Sequence, residues 1–260
     1  MKIPKKVRKN LFPLILVVHI LLGSKILLKS LSSDVPVIDG IFTEEEWEGG
    51  DRRILQMADG TTIDVTIKFN LSHIFILIQV KDDDPRLFGE SGGHDFFGVE
   101  FDNNGDKVPM GLSFSPDDAL FVSYNQPGGQ DFFLQGMGNP AVPDILENGT
   151  NDGTGNIGLS SNGDGLIMES SKPLDSNDSP GYDASLNPGD KFNLMFAYWD
   201  NHFGPLIQST SHSDWTTYEV PGQPQLNIWE SELIFEIVSG IGILLLMFLA
   251  RYGLKRPKSM

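Results

Sequence analysis

Alternation between apolar and polar residues is the feature that most limits how this chain folds. Thr62–Phe69 alternates without a break, residues 70–73 interrupt the pattern, and residues 74–80 continue as a strongly apolar run. A period of two is typical of strands, and two such runs joined by a short polar break predict a β-hairpin. The folded part of the chain is therefore expected to be built from strands.

Further short strands are predicted, with turn sequences between them. The turns are Asp102-Asn-Asn-Gly-Asp106, Gln126-Pro-Gly-Gly129 and Asn187-Pro-Gly-Asp190, whose Gly, Pro, Asn and Asp residues favour tight reversals. Many short strands with few helical patterns predict a mainly β chain, folded as one antiparallel β-sandwich over residues 34–222. The strands are expected at residues 96–101, 111–114, 119–124, 166–170, 192–199 and 216–220.

Two segments depart from this strand pattern. Thr43 precedes three glutamates and Trp47, and a Thr followed three positions later by Glu predicts a helix start. Residues 136–165 are rich in Gly, Asn, Asp and Ser, a composition that predicts a long loop.

The first 33 residues are typical of an export signal. Basic residues precede an apolar run from Leu11 to Leu22, and the small residues Gly23 and Ser24 follow it. This order predicts either a cleaved signal peptide or an uncleaved signal anchor. Both alternatives place the strand-rich region outside the cytoplasm.

The C-terminal end carries a candidate membrane span. Residues 233–250 are apolar apart from Glu236 and Ser239, and at about 1.5 Å rise per residue they nearly cross a bilayer core. The basic tail 251–260 is expected in the cytoplasm by the positive-inside rule, with residues 223–232 as a linker. The alternative is a buried amphipathic helix. The chain is thus predicted to be a single-pass protein of the cell membrane.

Charge is strongly segregated along the chain. Of the 19 basic and 35 acidic residues, eight basic and 33 acidic residues lie between Asp34 and Glu230, a balance of −25. Such a surface repels nucleic acid and attracts cations or basic partners. The absence of cysteine excludes thiolate metal sites, iron–sulfur clusters and covalently attached haem, but leaves a noncovalent haem open.

Acidic turns suggest a cation site. Asp102, Asn104 and Asp106 alternate within one turn, and Ca²⁺ takes six to eight oxygen ligands in irregular geometry. Asp117 and Asp118, or the acidic run at 82–84, can add ligands. The spacing departs from an EF-hand because Gly105 falls one position early. The alternative is a set of solvated acidic turns.

The sequence favours a binding or electron-transfer module over an enzyme. Among so many acidic residues, neither a carboxylate pair nor a nucleophile triad stands out. Sugar binding by stacked aromatic rings has few candidates, since Trp47, Trp199 and Trp215 are expected in the core and Trp229 lies beside the predicted span.

Several motifs resemble one family of domains. These are Val37-Ile-Asp-Gly40 with Glu46-Trp47, then residues 80–83, Asp95-Phe-Phe-Gly-Val-Glu-Phe-Asp102, Gly165 through Lys172-Pro-Leu174, residues 186–190 and 195–200, and Ser213-Asp-Trp215. Together they resemble the ethylbenzene-dehydrogenase-related haem-binding domains, within the wider group of DOMON domains and family 9 carbohydrate-binding modules. The resemblance covers roughly residues 35–220.

The resemblance implies a noncovalent haem b inside the sandwich, held by a Met and often by a Lys. Met137 is then the candidate Met ligand, with core filling as its alternative role. The family's Lys position is occupied here by Ser209-Thr-Ser-His-Ser213, where His212 can serve as the second ligand. The implied function is electron transfer or redox sensing with an unknown protein partner. The alternative is a haem-free extracellular module for carbohydrate or another ligand, stabilised by calcium.

Overall fold

The computed structural model describes residues 35–86, 94–111, 116–124, 126–136, 141–177, 183–200 and 211–222. The chain divides into two compact units, Met1–Val220 and Pro221–Met260. Within the described ranges, no helix is long and apolar enough to cross a bilayer. The predicted signal segment, linker, membrane span and tail lie outside these ranges.

The described residues form strands almost throughout. The α-helix α1 spans Glu44–Trp47, and a 3-10 turn spans Asp144–Glu147. The twelve strands in the described ranges are β1 (Asp51–Gln56), β2 (Thr62–Phe69), β3 (His73–Lys81), β4 (Phe96–Phe101), β5 (Asp117–Ser123), β6 (Gln126–Leu134), β7 (Val142–Pro143), β8 (Thr154–Leu159), β9 (Gly165–Pro173), β10 (Lys191–Trp199), β11 (Ser211–His212) and β12 (Thr216–Glu219).

The strands form two antiparallel sheets. The first sheet has the order β1-β2-β3-β9-β8. The second has the order β11-β10-β4-β5-β6-β7, and β12 pairs with the other end of β10. A bridge between Met57 and Ser213 joins the two sheets at one corner.

The core lies between the inward faces of the two sheets. Alternate residues of the first sheet, among them Ile63, Ile76 and Met168, pack against alternate residues of the second, among them Val99 and Phe196. A smaller apolar cluster on the outward face of the first sheet contains Trp47, Phe75, Leu77 and Ile167. The segment that carries α1 therefore packs against the outside of this sheet.

The predicted mainly β fold is confirmed in its architecture. The hairpin is β2–β3, the strand Phe96–Phe101 has the expected bounds, and α1 begins directly after Thr43. The strands expected at 119–124, 166–170, 192–199 and 216–220 correspond to β5, β9, β10 and β12. Thr43 makes no side-chain capping hydrogen bond, although it occupies the cap position.

Two local predictions were wrong, and one strand was not predicted. The expected turn at 126–129 is the beginning of β6, and β1 was not foreseen. The segment 136–165 is not one long loop, since it contains β7, the 3-10 turn and β8. Strand β8 lacks an alternating signal because its glycines approach other chain segments closely: a Cβ at Gly158 would lie 2.1 Å from Gly40 O. Of the strand expected at 111–114, only Gly111 is described, and it lies outside any strand.

Candidate functional site

An open pocket of about 460 Å³ lies on the outward face of the first sheet. Its rim comes from α1 and the preceding residues, and its floor comes from β1, β2 and β3. The pocket presents an aromatic ring, several carboxylates, a guanidinium and an amide. Its lining residues are Phe42, Glu44, Glu45, Trp47, Glu48, Gly49, Gly50, Arg52, Thr66 and Gln79.

The floor and rim of this pocket are held by hydrogen bonds. Arg52 donates from Nε to both carboxylate oxygens of Asp64, at 2.9 and 3.0 Å, which fixes the guanidinium against the sheet. Lys68 Nζ donates to Glu46 O at 2.6 Å and so ties α1 to β2. Phe42 remains 37% exposed. The pocket therefore has anchored walls and an accessible aromatic ring.

Glu169 anchors the segment that forms the rim. Its carboxylate accepts hydrogen bonds from Trp47 Nε1 at 3.0 Å, Gly40 N at 2.9 Å and Asp39 N at 3.1 Å. Glu169 is fully buried, and burial raises its pKa while the three donors act in the opposite direction. One side chain of β9 thus fixes both the Val37–Gly40 motif and α1.

A carboxylate cluster at the loop after β4 forms a candidate cation site. Oxygens of Asp102, Asp106 and Asp117 lie within 4.8 Å of one another. Asn104 lies in the same turn, where its side-chain oxygen accepts from Asp106 N at 2.7 Å. The structure thus places Asp102 and Asp106, both proposed from the sequence, beside Asp117, which the sequence offered as a further ligand. We call Asp102, Asp106, Asp117 and the neighbouring Glu100 the loop cluster.

Glu100 and Asp117 are the two buried carboxyl groups of the loop cluster, and they lie close to each other. Burial, with the charge of Asp117, raises the pKa of Glu100 to about 9. Burial also raises the pKa of Asp117 to about 7, although its Oδ1 accepts from Asn103 N at 3.1 Å. Glu100 Oε1 and Asp117 Oδ2 have no hydrogen-bond donor. These oxygens fit the hard, irregular ligand set of Ca²⁺.

A second carboxylate group lies between the sheets around Lys172 of β9. Lys172 Nζ donates to Asp118 Oδ2 and to Asp183 Oδ1, the latter at 3.0 Å, and lies 3.6 Å from Asp131 Oδ1. Burial alone would lower the pKa of Lys172, but the three carboxylates outweigh it and raise the pKa. We call Lys172, Asp118, Asp131, Asp183 and the adjacent Asp152 the Lys172 cluster.

Sequence reasoning missed the Lys172 cluster, although a signal was present. Lys172, Asp118 and Asp131 occupy positions that alternate with outward residues on β9, β5 and β6, so their side chains point into the core. In the sequence, Lys172 stands out only as part of the motif from Gly165 to Leu174. Charged residues at inward positions of separate strands predict an internal ion cluster once the register of the strands is known.

A third acidic group lies at the opposite end of β4. Oxygens of Asp82, Asp95 and Asp200 lie within 4.8 Å of one another. Tyr198 donates to Asp82 Oδ2 at 2.6 Å, and Arg86 N donates to Asp95 Oδ2 at 2.5 Å. These donors give the group a structural role in joining β3, β4 and β10.

Of the two residues proposed as haem ligands, Met137 and His212, the described ranges contain His212. His212 pairs with Ala197, so its side chain lies on the outward face of the second sheet, where it is exposed and its Nδ1 lies 3.1 Å from Ser213 O. Met137 lies outside the described ranges. Buried aliphatic and aromatic side chains pack between the sheets. Haem binding stays a prediction, for which the absorption spectrum of the purified protein is the test.

Of the three tryptophans expected in the core, Trp47 and Trp199 are buried, but they lie on the outward faces of the two sheets and not between them. Trp47 and Trp199 are each 5% exposed, and Trp215 is half-buried. Trp199 stacks on Phe96 with ring centroids 4.1 Å apart. These rings are used in packing, which leaves Phe42 as the exposed aromatic ring of the pocket.

No family profile matches the sequence, and no curated protein matches it. Among solved structures, the chain is similar to a family 9 carbohydrate-binding module from Caldicellulosiruptor kristjanssonii in complex with cellotriose, with 16% identity, 74% of this chain and 93% of that chain covered, and a TM-score of 0.50. The same kind of module in complex with glucose gives 15% identity, coverage of 74% and 94%, and a TM-score of 0.49. The first likeness shows that this chain has the β-sandwich fold of a family 9 carbohydrate-binding module.

Proposed function

We propose that this protein is a non-catalytic carbohydrate-binding module whose ligand lies in the pocket on the outward face of the first sheet. The observation that carries the proposal is the composition of that pocket. Phe42 offers an exposed ring for stacking on a sugar, and Arg52 and Gln79 offer donors at the wall and floor. A volume of about 460 Å³ is within the range of small-molecule sites.

The charge of the pocket limits the kind of sugar. Glu44, Glu45 and Glu48 line the rim, and Arg52 is already paired with Asp64. An anionic sugar would meet repulsion at this rim, whereas neutral sugar hydroxyls can donate to the carboxylates. The structurally similar module, which was solved with cellotriose, supports a neutral oligosaccharide as the ligand class.

The proposed module also includes a structural calcium ion at the loop cluster. Asp102, Asp106 and Asp117 supply oxygens within 4.8 Å of one another, and Glu100 adds a buried oxygen that has no donor. A bound cation neutralises carboxylates that otherwise repel each other, and so stabilises the loop between β4 and β5.

The proposed setting is the outer face of a membrane. The export segment and the apolar run at 233–250 with its basic flank support a sandwich tethered outside the cell. The acidic surface suits an extracellular ligand that carries no negative charge.

The proposal is tested by titrating the full-length protein with soluble neutral oligosaccharides, beginning with cellotriose and glucose. We expect saturable binding that Phe42→Ala and Gln79→Ala weaken. Leu71→Ala is the matched control, because Leu71 is an exposed apolar residue, 81% accessible, in the turn between β2 and β3. Binding that is equal in all three variants would place the ligand elsewhere, and no binding to any neutral sugar would contradict the proposal.

A further inference from the structure

Lys172 and Asp118 form a buried pair that joins the two sheets. Lys172 points inward from β9 of the first sheet, and Asp118 points inward from β5 of the second. The Lys172 ammonium donates a hydrogen bond to Asp118 Oδ2, and the two side chains are 1% and 0% exposed. An amine group and a carboxyl group are therefore held in contact, away from water.

The surroundings of this pair disfavour its charges. Asp118 lies between Phe101 of β4 and Phe133 of β6, both buried, and the Phe101 ring centroid is 5.3 Å from Lys172 Nζ. Burial raises the pKa of Asp118, and it opposes the carboxylates that raise the pKa of Lys172. Transfer of one proton from the ammonium to Asp118 leaves a neutral amine beside a neutral carboxylic acid, which removes two charges from the interior.

The two oxygens of Asp118 have different environments. Oδ2 also accepts a hydrogen bond from Ala184 N at 2.9 Å. If the amine attacks Asp118 Cγ, negative charge develops on Oδ2, and a fixed backbone donor at that oxygen stabilises it. Oδ1 has no hydrogen-bond partner within the described ranges. Oδ1 is therefore the oxygen that is free to be protonated and to leave.

Asp131 is placed to carry protons between the two groups. Its Oδ1 lies 3.6 Å from Lys172 Nζ, and its nearest oxygen lies within 4.8 Å of an oxygen of Asp118. Asp131 is 2% exposed, and neither of its oxygens has a hydrogen-bond partner among the described residues. Burial, with the charge of Asp118, raises the pKa of Asp131 to about 10, so Asp131 holds a proton at neutral pH. Such a group can give a proton to one atom and accept one from another.

Asp183 has a different role from Asp131. Its Oδ1 accepts from Lys172 Nζ at 3.0 Å, and its Oδ2 accepts from Ser176 Oγ at 2.5 Å. Both of its oxygens are thus engaged. Asp183 therefore positions the amine beside Asp118.

We propose that Lys172 and Asp118 react in the folded protein to form an intramolecular amide bond, with Asp131 as the proton carrier. Asp131 first gives its proton to Asp118 Oδ1 and takes one from Lys172 Nζ. The neutral amine then attacks Asp118 Cγ, and the C–N bond forms. Asp131 again accepts a proton from Nζ and protonates Oδ1, the Cγ–Oδ1 bond breaks, and water leaves. One ammonium and one carboxylate become one amide and one water molecule, without oxidation or reduction.

The bond would connect β5 to β9 and so link the two sheets covalently. It joins residues 54 positions apart, and closing a loop of this length lowers the conformational entropy of the unfolded chain. The sequence contains no cysteine, so a disulfide cannot provide this kind of link.

The experiment is mass spectrometry of the purified full-length protein after denaturation and digestion with a glutamate-specific protease. Cleavage after Glu100, Glu147, Glu169 and Glu219 releases residues 101–147, which contain Asp118, and residues 170–219, which contain Lys172. The two peptides are expected to remain joined, with a mass one water molecule below their sum. Fragmentation of the joined peptide should place the link at Asp118 and Lys172.

Lys172→Arg is the matched control, because arginine keeps the positive charge but does not form this amide. Asp131→Asn removes the proton carrier. Both variants, checked for folding by far-ultraviolet circular dichroism, are expected to give separate peptides. Separate peptides of unchanged mass from the folded wild type would refute the bond whether or not a variant folds. Joined peptides from Asp131→Asn would refute the role of Asp131. Neither result depends on carbohydrate binding.

Discussion

Trp47 Nε1 donates a hydrogen bond of 3.0 Å to Glu169 Oε1, across 122 positions of the chain. Glu169 also accepts from Gly40 N and Asp39 N. One buried carboxylate therefore joins an N-terminal motif to the motif on β9. This contact holds the rim of the proposed sugar pocket on the outside of the first sheet.

Replacing Glu169 by Ala should reduce the free energy of unfolding by about 3 kcal/mol, because it leaves two buried donors, Trp47 Nε1 and Gly40 N, and the partly buried Asp39 N unpaired. Glu169→Gln should reduce the free energy of unfolding by a smaller amount, since the amide oxygen still accepts a hydrogen bond. Denaturant unfolding measures both values. Glu147→Ala, at an exposed position of the 3-10 turn, is the control and should stay within about 0.5 kcal/mol of the wild type. Equal effects at the two positions would contradict the anchoring role.

Lys172→Met should be strongly destabilising, by about 3–5 kcal/mol, because it leaves buried carboxylates without their counter-ion. Lys191→Met is the matched control. Lys191 and Glu219 form an exposed pair at 3.8 Å, which contributes little to stability. Thermal and denaturant unfolding measure the stability of both variants. A Lys172→Met protein as stable as the Lys191→Met protein would show that the ammonium is dispensable.

Removal of divalent cations should lower the melting temperature of the full-length protein, and CaCl₂ should restore it, because a ligand that binds only the folded state stabilises it. Asp106→Ala removes an exposed carboxylate of the loop cluster. In this variant, CaCl₂ should raise the melting temperature by less than it does in the wild type. Differential scanning calorimetry with and without chelator measures the effect. Identical melting temperatures in both conditions would argue against a structural cation at the loop cluster.

Gly158→Ala should destabilise the sandwich by about 1–3 kcal/mol, because the added methyl group has no space. A Cβ at this position would lie 2.1 Å from Gly40 O, a backbone atom that cannot move away independently. Gly222→Ala is the control, since nothing lies within 4 Å of a Cβ there. Unfolding free energies that match for the two variants would mean that the segment at Gly40 does not pack closely on β8.

The alternation of apolar and polar residues predicted the strands, because a strand that buries one face carries an apolar side chain at every second position. The hairpin β2–β3 and the strand Phe96–Phe101 show this pattern clearly. Strand β8 could not be predicted in this way. Gly155 and Gly158 stand where other segments come too close for a Cβ atom, so these positions carry no side chain that could show an apolar alternation. The period-two signal is therefore strongest in central strands and weakest at glycine-rich edges.

The sites were less predictable because they depend on strand register. Asp102 and Asp106 were identified from one turn, since local sequence brings them together. Asp117 joins them from the next strand, and Asp131 meets Lys172 from the opposite sheet. Contacts of this kind follow from sheet pairing across many residues, which the sequence alone does not determine.

The central claim, that a neutral sugar binds on the outward face of the first sheet, is tested most directly by amide hydrogen exchange. Exchange rates of the full-length protein are compared with and without a saturating oligosaccharide. We predict slower exchange at residues 42–52 and at neighbouring amides of β2 and β3, with no change at Phe96 or Trp199. Protection confined to the second sheet, or no protection at saturating sugar, would contradict the claim.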